Sequence, residues 1–306
     1  MQVSVEPLRR APLRAFLRLS RPLFLYGGFA GVALGAAVAR SNGHRLDAAT
    51  YVWVQLLVSS FHLMVHYAND YFDRESDLGA VRTRWSGGSG VLVEGHLHPR
   101  VALVASLVCA AIGLVACARF ALTGTPLVAA LGVAILVFAW WYSAPPVRLA
   151  ARGAGELDTA LVVAVLMPCC AYAAFTGTLD GAIALAVAAP ACAMIAMMLC
   201  VELPDEGCDV RSGKRNLVVW LGAETAWRIV TVSAALAVVV ALAVACTVRP
   251  GPAVLALVPA AVAAFVLAAI VRRERRPGAT AFWGVALYAT TVTGMAAFYA
   301  VSGAGA

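Results

Sequence analysis

Nine apolar runs, each near the length that crosses a bilayer as a helix, govern what this chain can fold into. They lie roughly at 22–39, 48–68, 101–121, 125–142, 157–176, 180–200, 226–247, 252–271 and 281–301. About 20 apolar residues span the hydrocarbon core of a membrane as a helix. Only helices and closed barrels satisfy their backbone there. These runs are too long and too uniformly apolar for the alternating strands of a barrel, each about 10 residues. Of the 306 residues 62% are hydrophobic and 13% charged, about half the charged share of an ordinary soluble domain. Mean hydropathy is +0.85. The expectation is an all-α polytopic membrane protein in contact with the lipid bilayer. It forms a single domain over residues 1–306, with 1–20 a cytosolic lead-in. That lead-in is Arg-rich and shows no A-x-A site ahead of a short apolar stretch, so it does not read as a cleaved signal peptide.

An odd number of spans alternates sides in a way the basic residues can test. With the N-terminus cytosolic, nineteen of the 23 Lys and Arg residues fall on the cytosolic side. Only Arg40, Arg45, Arg119 and Arg249 fall opposite. That asymmetry is the positive-inside pattern and places the chain in the plasma membrane with its long polar connections in the cytosol. The acidic residues add something the pattern does not require. Twelve of the 16 Asp and Glu lie in three connections on that same side, 69–100, 143–156 and 201–225, or at the span ends flanking them. The eight Cys form no C-x-x-C pair and read as reduced, buried thiols.

Two stretches carry the chemistry. In HYANDYFDRESD, Asp70, Asp73 and Asp77 are spaced i, i+3, i+7, so on a helix they share one face, with Asn69 beside them. In CVELPDEGCDVRSGKR, Asp205 and Asp209 are spaced i, i+4. Pro204 and Gly207 mark a broken or short helix there, and Lys214, the chain's one lysine, follows with Arg215. Clustered carboxylates suit hard divalent cations. Mg²⁺ in particular takes one or two carboxylates plus waters and substrate phosphates. Two such clusters facing one cavity, with basic residues to clamp an anion, fit a diphosphate held through Mg²⁺. The run GGSG, Gly87 to Gly90, follows no strand and lacks G-K-[ST], so it is not a P-loop. It reads as a flexible cap. The RRERRPG loop serves topology and anionic headgroups.

These motifs resemble those of the UbiA superfamily of intramembrane prenyltransferases. NDYFDRESD resembles its first aspartate motif and DEGCDVRSGKR its second. YSAPPVRLAARGAGE, Tyr142 to Glu156, looks like its Y-S-x-P-P…G-x-G-E segment. GGSGVLVEGHLHPR looks closer to the menaquinone-type (MenA-like) branch, which uses 1,4-dihydroxy-2-naphthoate. The resemblance covers about Arg21 to Gly222. It implies nine helices around a central cavity with a cytosolic cap. It implies Mg²⁺ bound by Asp70, Asp73 and Asp77 with Asn69, and by Asp205 and Asp209. Lys214, Arg215 and Arg148 would contact the diphosphate, and Tyr142 would line the pocket. The sequence departs from the branch at Val201–Pro204, where an Asn pair is usual and Glu202 is an added carboxylate. It departs again at Asn216, in place of Thr, and at Ala150, in place of a second basic residue for which Arg152 could compensate.

The implied reaction joins the allylic carbon of a prenyl diphosphate to a small aromatic acceptor, a dihydroxynaphthoate or other phenolic acid. His62 and His66 lie at i, i+4, with His66 four residues before Asp70, and are candidates to orient or deprotonate that acceptor. Tyr142 and Glu202 are further candidate cavity residues. Two other readings stand beside it. A UbiA-like terpene cyclase would capture the cation with the substrate's own double bonds. A cation transporter would use the carboxylates for its ion, although such sites tend to lie at mid-membrane. The sequence points to no nucleic-acid partner and no obligate protein partner.

Overall fold

The computed structural model describes residues 12–79, 82, 85, 88–247 and 277–302. Its helices are α1 (Pro12–Leu19), α2 (Tyr26–Ser41), α3 (Ala48–Asp73), α4 (Pro99–Leu122), α5 (Pro126–Trp141), α6 (Gly155–Thr176), α7 (Gly181–Glu202), α8 (Glu206–Ser212), α9 (Leu217–Leu221), α10 (Ala223–Thr247) and α11 (Pro277–Ser302). Several begin where the sequence supplies a cap for the unpaired N–H groups of a first turn. Asp47 Oδ1 accepts from Thr50 N at 2.8 Å to open α3, and Asp180 Oδ1 accepts from Ala182 N at 2.9 Å to open α7. His98 Nδ1 accepts from Arg100 N at 3.1 Å ahead of α4.

Among the described residues six helical stretches are long and apolar enough to cross a membrane: α3, α4, α6, α7 running on into α8, α10 and α11. The chain is a multi-pass membrane protein. With α2 and the shorter apolar α5, eight of the nine expected spans coincide with helices. The span expected at 252–271 lies outside the described residues. The helices close into a bundle in which α3 packs on α4 and α5, α2 packs between α6 and α11, and α7 packs on α10 and α11. Lipid supplies no hydrophobic drive between helices, so close approach through small residues matters. At Gly113 a Cβ would run into the Phe61 ring, and at Gly35 into the backbone of Pro168. These two glycines let α4 and α6 lie against α3 and α2.

Three departures from the expected helices shape the interior. The first span was expected from residue 22. Arg21 instead takes a left-handed conformation, φ 45°, residues 22–25 form turns, and α2 starts at Tyr26. A non-glycine residue held there is uncommon, and here it swings Arg21 towards the bundle interior. Next, α3 does not continue through Asp77. Arg74 Nη1 donates to Tyr71 O and Ser76 Oγ to Asp73 O, both at 2.8 Å. These side chains take carbonyls the helix would otherwise have used. Asp77 therefore sits on a separate 3₁₀ turn, Ser76–Gly79. Finally, α6 contains a π-helical stretch, Ala160–Leu166, just ahead of Pro168. Proline has no N–H for the preceding turn, and such wide turns gather at functional sites.

Candidate active site

The helices enclose a cavity of about 510 Å³. One helix shows its grading. Along α7 and α8 the lining residues run Met194, Met197, Met198, Val201, Glu202, Asp205 and Asp209, apolar first and acidic last. Asn69 and Asp73 at the end of α3, with Asp77 on the turn beyond, join the acidic end from the other wall. Val162, Val163 and Met167 of α6 and Val285 of α11 line the apolar part. Lys214 also lines the cavity.

The polar end is built from paired side chains. Asn69 Nδ2 donates to Asp73 Oδ2 at 2.7 Å and to Ser143 Oγ at 2.9 Å. Asn216 Nδ2 donates to Asp209 Oδ2 at 2.7 Å, while Asn216 Oδ1 accepts from Val219 N to cap α9. Each amide presents its neighbour's carboxylate in a fixed orientation. Burial pushes the Asp77 carboxyl up to about 6, with Lys214 opposing and Asp73 adding to the rise. Burial by itself would lower the Lys214 ammonium, but the carboxylates of Asp209 and Asp73 reverse this and hold it above its ordinary value. The Tyr142 hydroxyl is raised by burial first and then by Glu202. The end of the cavity thus gathers acidic groups around Lys214, with Arg21 also in its lining.

The sequence-predicted residues separate into three groups. Asn69, Asp73, Asp77, Asp205, Asp209, Lys214, Tyr142, Glu202, His62 and His66 all line the one cavity. Arg148 stands at its rim, 3.9 Å from Asp73 with a side chain 42% exposed, and its own φ is 50°. Asp70 and Arg215 do not line it. Asp70 is buried and accepts from the Arg21 guanidinium and the Ser89 hydroxyl. Arg215 is exposed, and its backbone N–H donates to Ala151 O at 3.1 Å. His66 Nδ1 lies 3.0 Å from Ser20 O. A carbonyl only accepts, so that nitrogen carries a proton. The His62 ring is 4.9 Å from it, centroid to centroid. Trp140 and Trp141 near the end of α5 are not among the lining residues.

Sequence reasoning passed over Arg21, Ser89, Ser143 and Asp158 as site residues. Arg21 lines the cavity and also donates to Asn69 Oδ1 at 3.2 Å. Its signal was an arginine set directly before Pro22 at the mouth of the first span. Asp158 stood out as a carboxylate just inside the fifth apolar run.

The donor set fits Mg²⁺. The carboxylates of Asp73 and Asp77 on one wall and of Asp205 and Asp209 on the other are hard oxygen donors. Among the described residues no three His, Cys, Asp or Glu converge closely enough to hold an ion by themselves. Mg²⁺ commonly binds in that way, through one or two carboxylates with the remaining positions left to water and substrate phosphate.

A membrane-embedded helical bundle with an acidic, lysine-bearing mouth over an apolar cavity is the framework of an enzyme that handles an amphiphilic anion. The chain belongs to the UbiA prenyltransferase family, whose profile it matches over residues 29–301, and it is an enzyme of the kind that transfers prenyl groups. Solved structures share the fold. A UbiA homologue from Aeropyrum pernix K1 is 19% identical with a TM-score of 0.67, over 89% of this chain and 96% of that one. A UbiA homologue from Archaeoglobus fulgidus, bound to DMAPP and Mg²⁺, is 18% identical with a TM-score of 0.65, over 91% and 98%. A digeranylgeranylglyceryl phosphate synthase is 14% identical with a TM-score of 0.62, over 95% and 99%. No functionally curated protein sequence matches the chain.

Proposed function

We propose that this protein is a Mg²⁺-dependent prenyltransferase that moves a prenyl group from an allylic diphosphate to a small aromatic acceptor, a dihydroxynaphthoate or related phenolic acid. The observation that carries the reading is the graded cavity, with four carboxylates and Lys214 at one end and Met and Val walls at the other. A prenyl diphosphate has the same polarity along its length. Homologous structures hold DMAPP or GPP with Mg²⁺, which supports the same orientation here. The acceptor rests on the resemblance to the menaquinone-type branch. The nine-helix count and the single domain over 1–306 rest on the spacing of apolar runs. The plasma-membrane location and the cytosolic mouth rest on the distribution of Lys and Arg.

Each residue then has a task. Asp73, Asp77, Asp205 and Asp209 would hold Mg²⁺, which when bound neutralises the diphosphate and eases its departure. Lys214 contacts the diphosphate as a point charge, and Arg148 closes on it from the rim. Asn69 and Asn216 keep the carboxylates of Asp73 and Asp209 aimed inwards. Arg21, fixed by Asp70, lends positive charge to the same end. Tyr142 presents an aromatic face where the allylic carbon separates from its leaving group. The apolar walls hold the prenyl chain and keep water from the reactive carbon.

The test uses purified protein in nanodiscs with Mg²⁺ and geranyl, farnesyl or geranylgeranyl diphosphate, with and without dihydroxynaphthoate or simpler phenolic acids. The reading expects a prenylated phenol and equimolar diphosphate, with little turnover until the acceptor is present. Terpene hydrocarbons formed without any acceptor overturn it in favour of cyclisation.

A further inference from the structure

Two polar side chains stand in the apolar part of the cavity, where a prenyl chain has nothing to offer them. His62 of α3 and Tyr288 of α11 both line the cavity and are 5% and 3% exposed. His62 Nδ1 and the Tyr288 hydroxyl have no hydrogen-bond partner. Among the described residues Tyr299 also has a buried, unpartnered hydroxyl, but it is not among the lining residues. Burying such groups without partners is costly, and structures retain them where a ligand completes them. Inside a membrane span the cost is higher still, and such residues mark functional interiors.

The sequence makes room for these two rings. Gly27 and Gly28 follow Tyr26 at the start of α2. A Cβ on Gly28 would come 2.8 Å from His62 Nδ1. A Cβ on Gly27 would lie 3.1 Å from Val163 Cγ1, 3.6 Å from Tyr288 Cε1 and 3.8 Å from His62 Cε1. Four helices, α2, α3, α6 and α11, thus converge on one point that glycine leaves open, and both rings border it. The His62 ring is steadied from behind. His66 meets it at 60° with ring centroids 4.9 Å apart, and His66 Nδ1 donates to Ser20 O at 3.0 Å. The neighbouring Tyr26 hydroxyl is already bonded to Thr293 Oγ1. The four converging residues include no Lys, Arg, Asp or Glu, so a carboxylate bound among them would be buried without a counter-charge. A phenol and an imidazole between them offer both a donor and an acceptor, which suits an uncharged oxygen on a flat ring.

We propose that Tyr288 and His62 bind the acceptor through a ring hydroxyl remote from its carboxylate, so that the enzyme selects a ring bearing a second, uncharged oxygen. This rests on the prenyl-transfer reading above. The prenyl donor cannot use the two side chains, because beyond its diphosphate it is hydrocarbon. The carboxylate of a phenolic acid cannot use them either. It belongs towards the mouth, where Lys214 and Arg21 line the cavity. The group left for Tyr288 and His62 is the acceptor's second hydroxyl. Both residues touch the acceptor and set specificity, and neither acts on the breaking C–O bond. Gly27 keeps their meeting point open.

The test compares affinity for 1,4-dihydroxy-2-naphthoate and 1-hydroxy-2-naphthoate, which differ by the one hydroxyl. Binding is measured by calorimetry in nanodiscs, with Mg²⁺ and a non-hydrolysable prenyl thiolodiphosphate holding the donor site. The wild type should prefer the dihydroxy compound by about tenfold, the worth of one buried hydrogen bond. Tyr288→Phe removes a single oxygen and should bring that preference to about unity, by weakening the dihydroxy compound alone. His62→Phe should narrow the preference as well. Thermal protection of both variants by Mg²⁺ with the thiolodiphosphate should match the wild type. A preference still near tenfold in either variant overturns the assignment of that residue. Equal binding of the two naphthoates by the wild type overturns the whole proposal. Loss of thiolodiphosphate protection in Tyr288→Phe also overturns it, by placing the hydroxyl in the donor site or in folding. A wild type that binds neither naphthoate is a separate result, and it overturns both this proposal and the transfer reading beneath it.

Discussion

The two ends of the bundle treat their carboxylates in opposite ways. At one end Asp180 caps α7 and also accepts from the Tyr172 hydroxyl at 2.6 Å, which in turn accepts from Asn42 at 3.1 Å. Asp47 caps α3. Both acidic side chains there are fully employed, and the fold gains by them. At the other end Asp73, Asp77, Asp205, Asp209 and Glu202 are gathered around one cavity with a single lysine. Burial and mutual repulsion hold Asp77 up near 6. The first arrangement is what stability alone selects. The second costs stability and makes sense only for a site that receives cations and an anion. Buried, incompletely compensated charge of this kind is where function and stability part company.

Substitutions can break or sharpen that contrast. The largest effect is expected at the acidic mouth. Asp73→Asn or Asp209→Asn should lower prenyl transfer by about 100-fold or more, read as diphosphate release. Melting temperature should stay level or rise, because a buried like charge is removed. A marked fall in stability would instead make these aspartates structural. Lys214 and Arg215 give the sharpest local comparison. Lys214→Met should abolish turnover, whereas Arg215→Met should leave it within about threefold, since one side chain lines the cavity and the other faces outwards. Equal losses would contradict the placement of Arg215. Arg21→Ala strands the buried Asp70 carboxylate and should destabilise the fold by about 3 kcal/mol, measured by thermal unfolding in detergent. The smallest effect belongs to the satisfied end. Asp180→Ala should cost about 1 kcal/mol, the usual value of an N-cap, with turnover per folded molecule unchanged. The Tyr172 hydroxyl, aided by backbone N–H groups, holds the Asp180 carboxyl below its ordinary value. Its contribution to stability is therefore present above the unfolded carboxyl's range and is lost as pH falls through the depressed folded value. The difference in melting temperature between wild type and Asp180→Ala should shrink under acid conditions below that of an ordinary aspartate.

Much of this architecture was legible in the sequence, because apolar runs of membrane length leave few alternatives. Eight runs correspond to helices even though their ends moved. The ends moved for local reasons that periodicity does not register. The α3 helix stops at Asp73 because the side chains of Arg74 and Ser76 turn back onto its carbonyls. The site was legible as a set of residues but not as a division of labour. Asp70, Asp73 and Asp77 look equivalent along the chain. Only the fold brings Arg21 and Ser89 onto Asp70 and withdraws it from the cavity. Lys214 and Arg215 are neighbours in sequence and diverge in space. Glu202 stood out as a departure from the family pattern and lines the cavity, whereas Glu156, 46 positions earlier, turns out to accept from Leu217 N only in the folded chain.

The most direct test of the central claim is linkage between metal and diphosphate at the acidic mouth. The melting temperature of the protein in nanodiscs would be followed against a non-hydrolysable prenyl thiolodiphosphate, with Mg²⁺ and with EDTA, for the wild type and for Asp73→Asn. The account predicts that analogue and Mg²⁺ together raise the melting temperature, that neither does so alone, and that Asp73→Asn abolishes the rise. Protection by the analogue that is equal in EDTA, or undiminished in Asp73→Asn, would contradict the claim that these carboxylates bind the diphosphate through Mg²⁺.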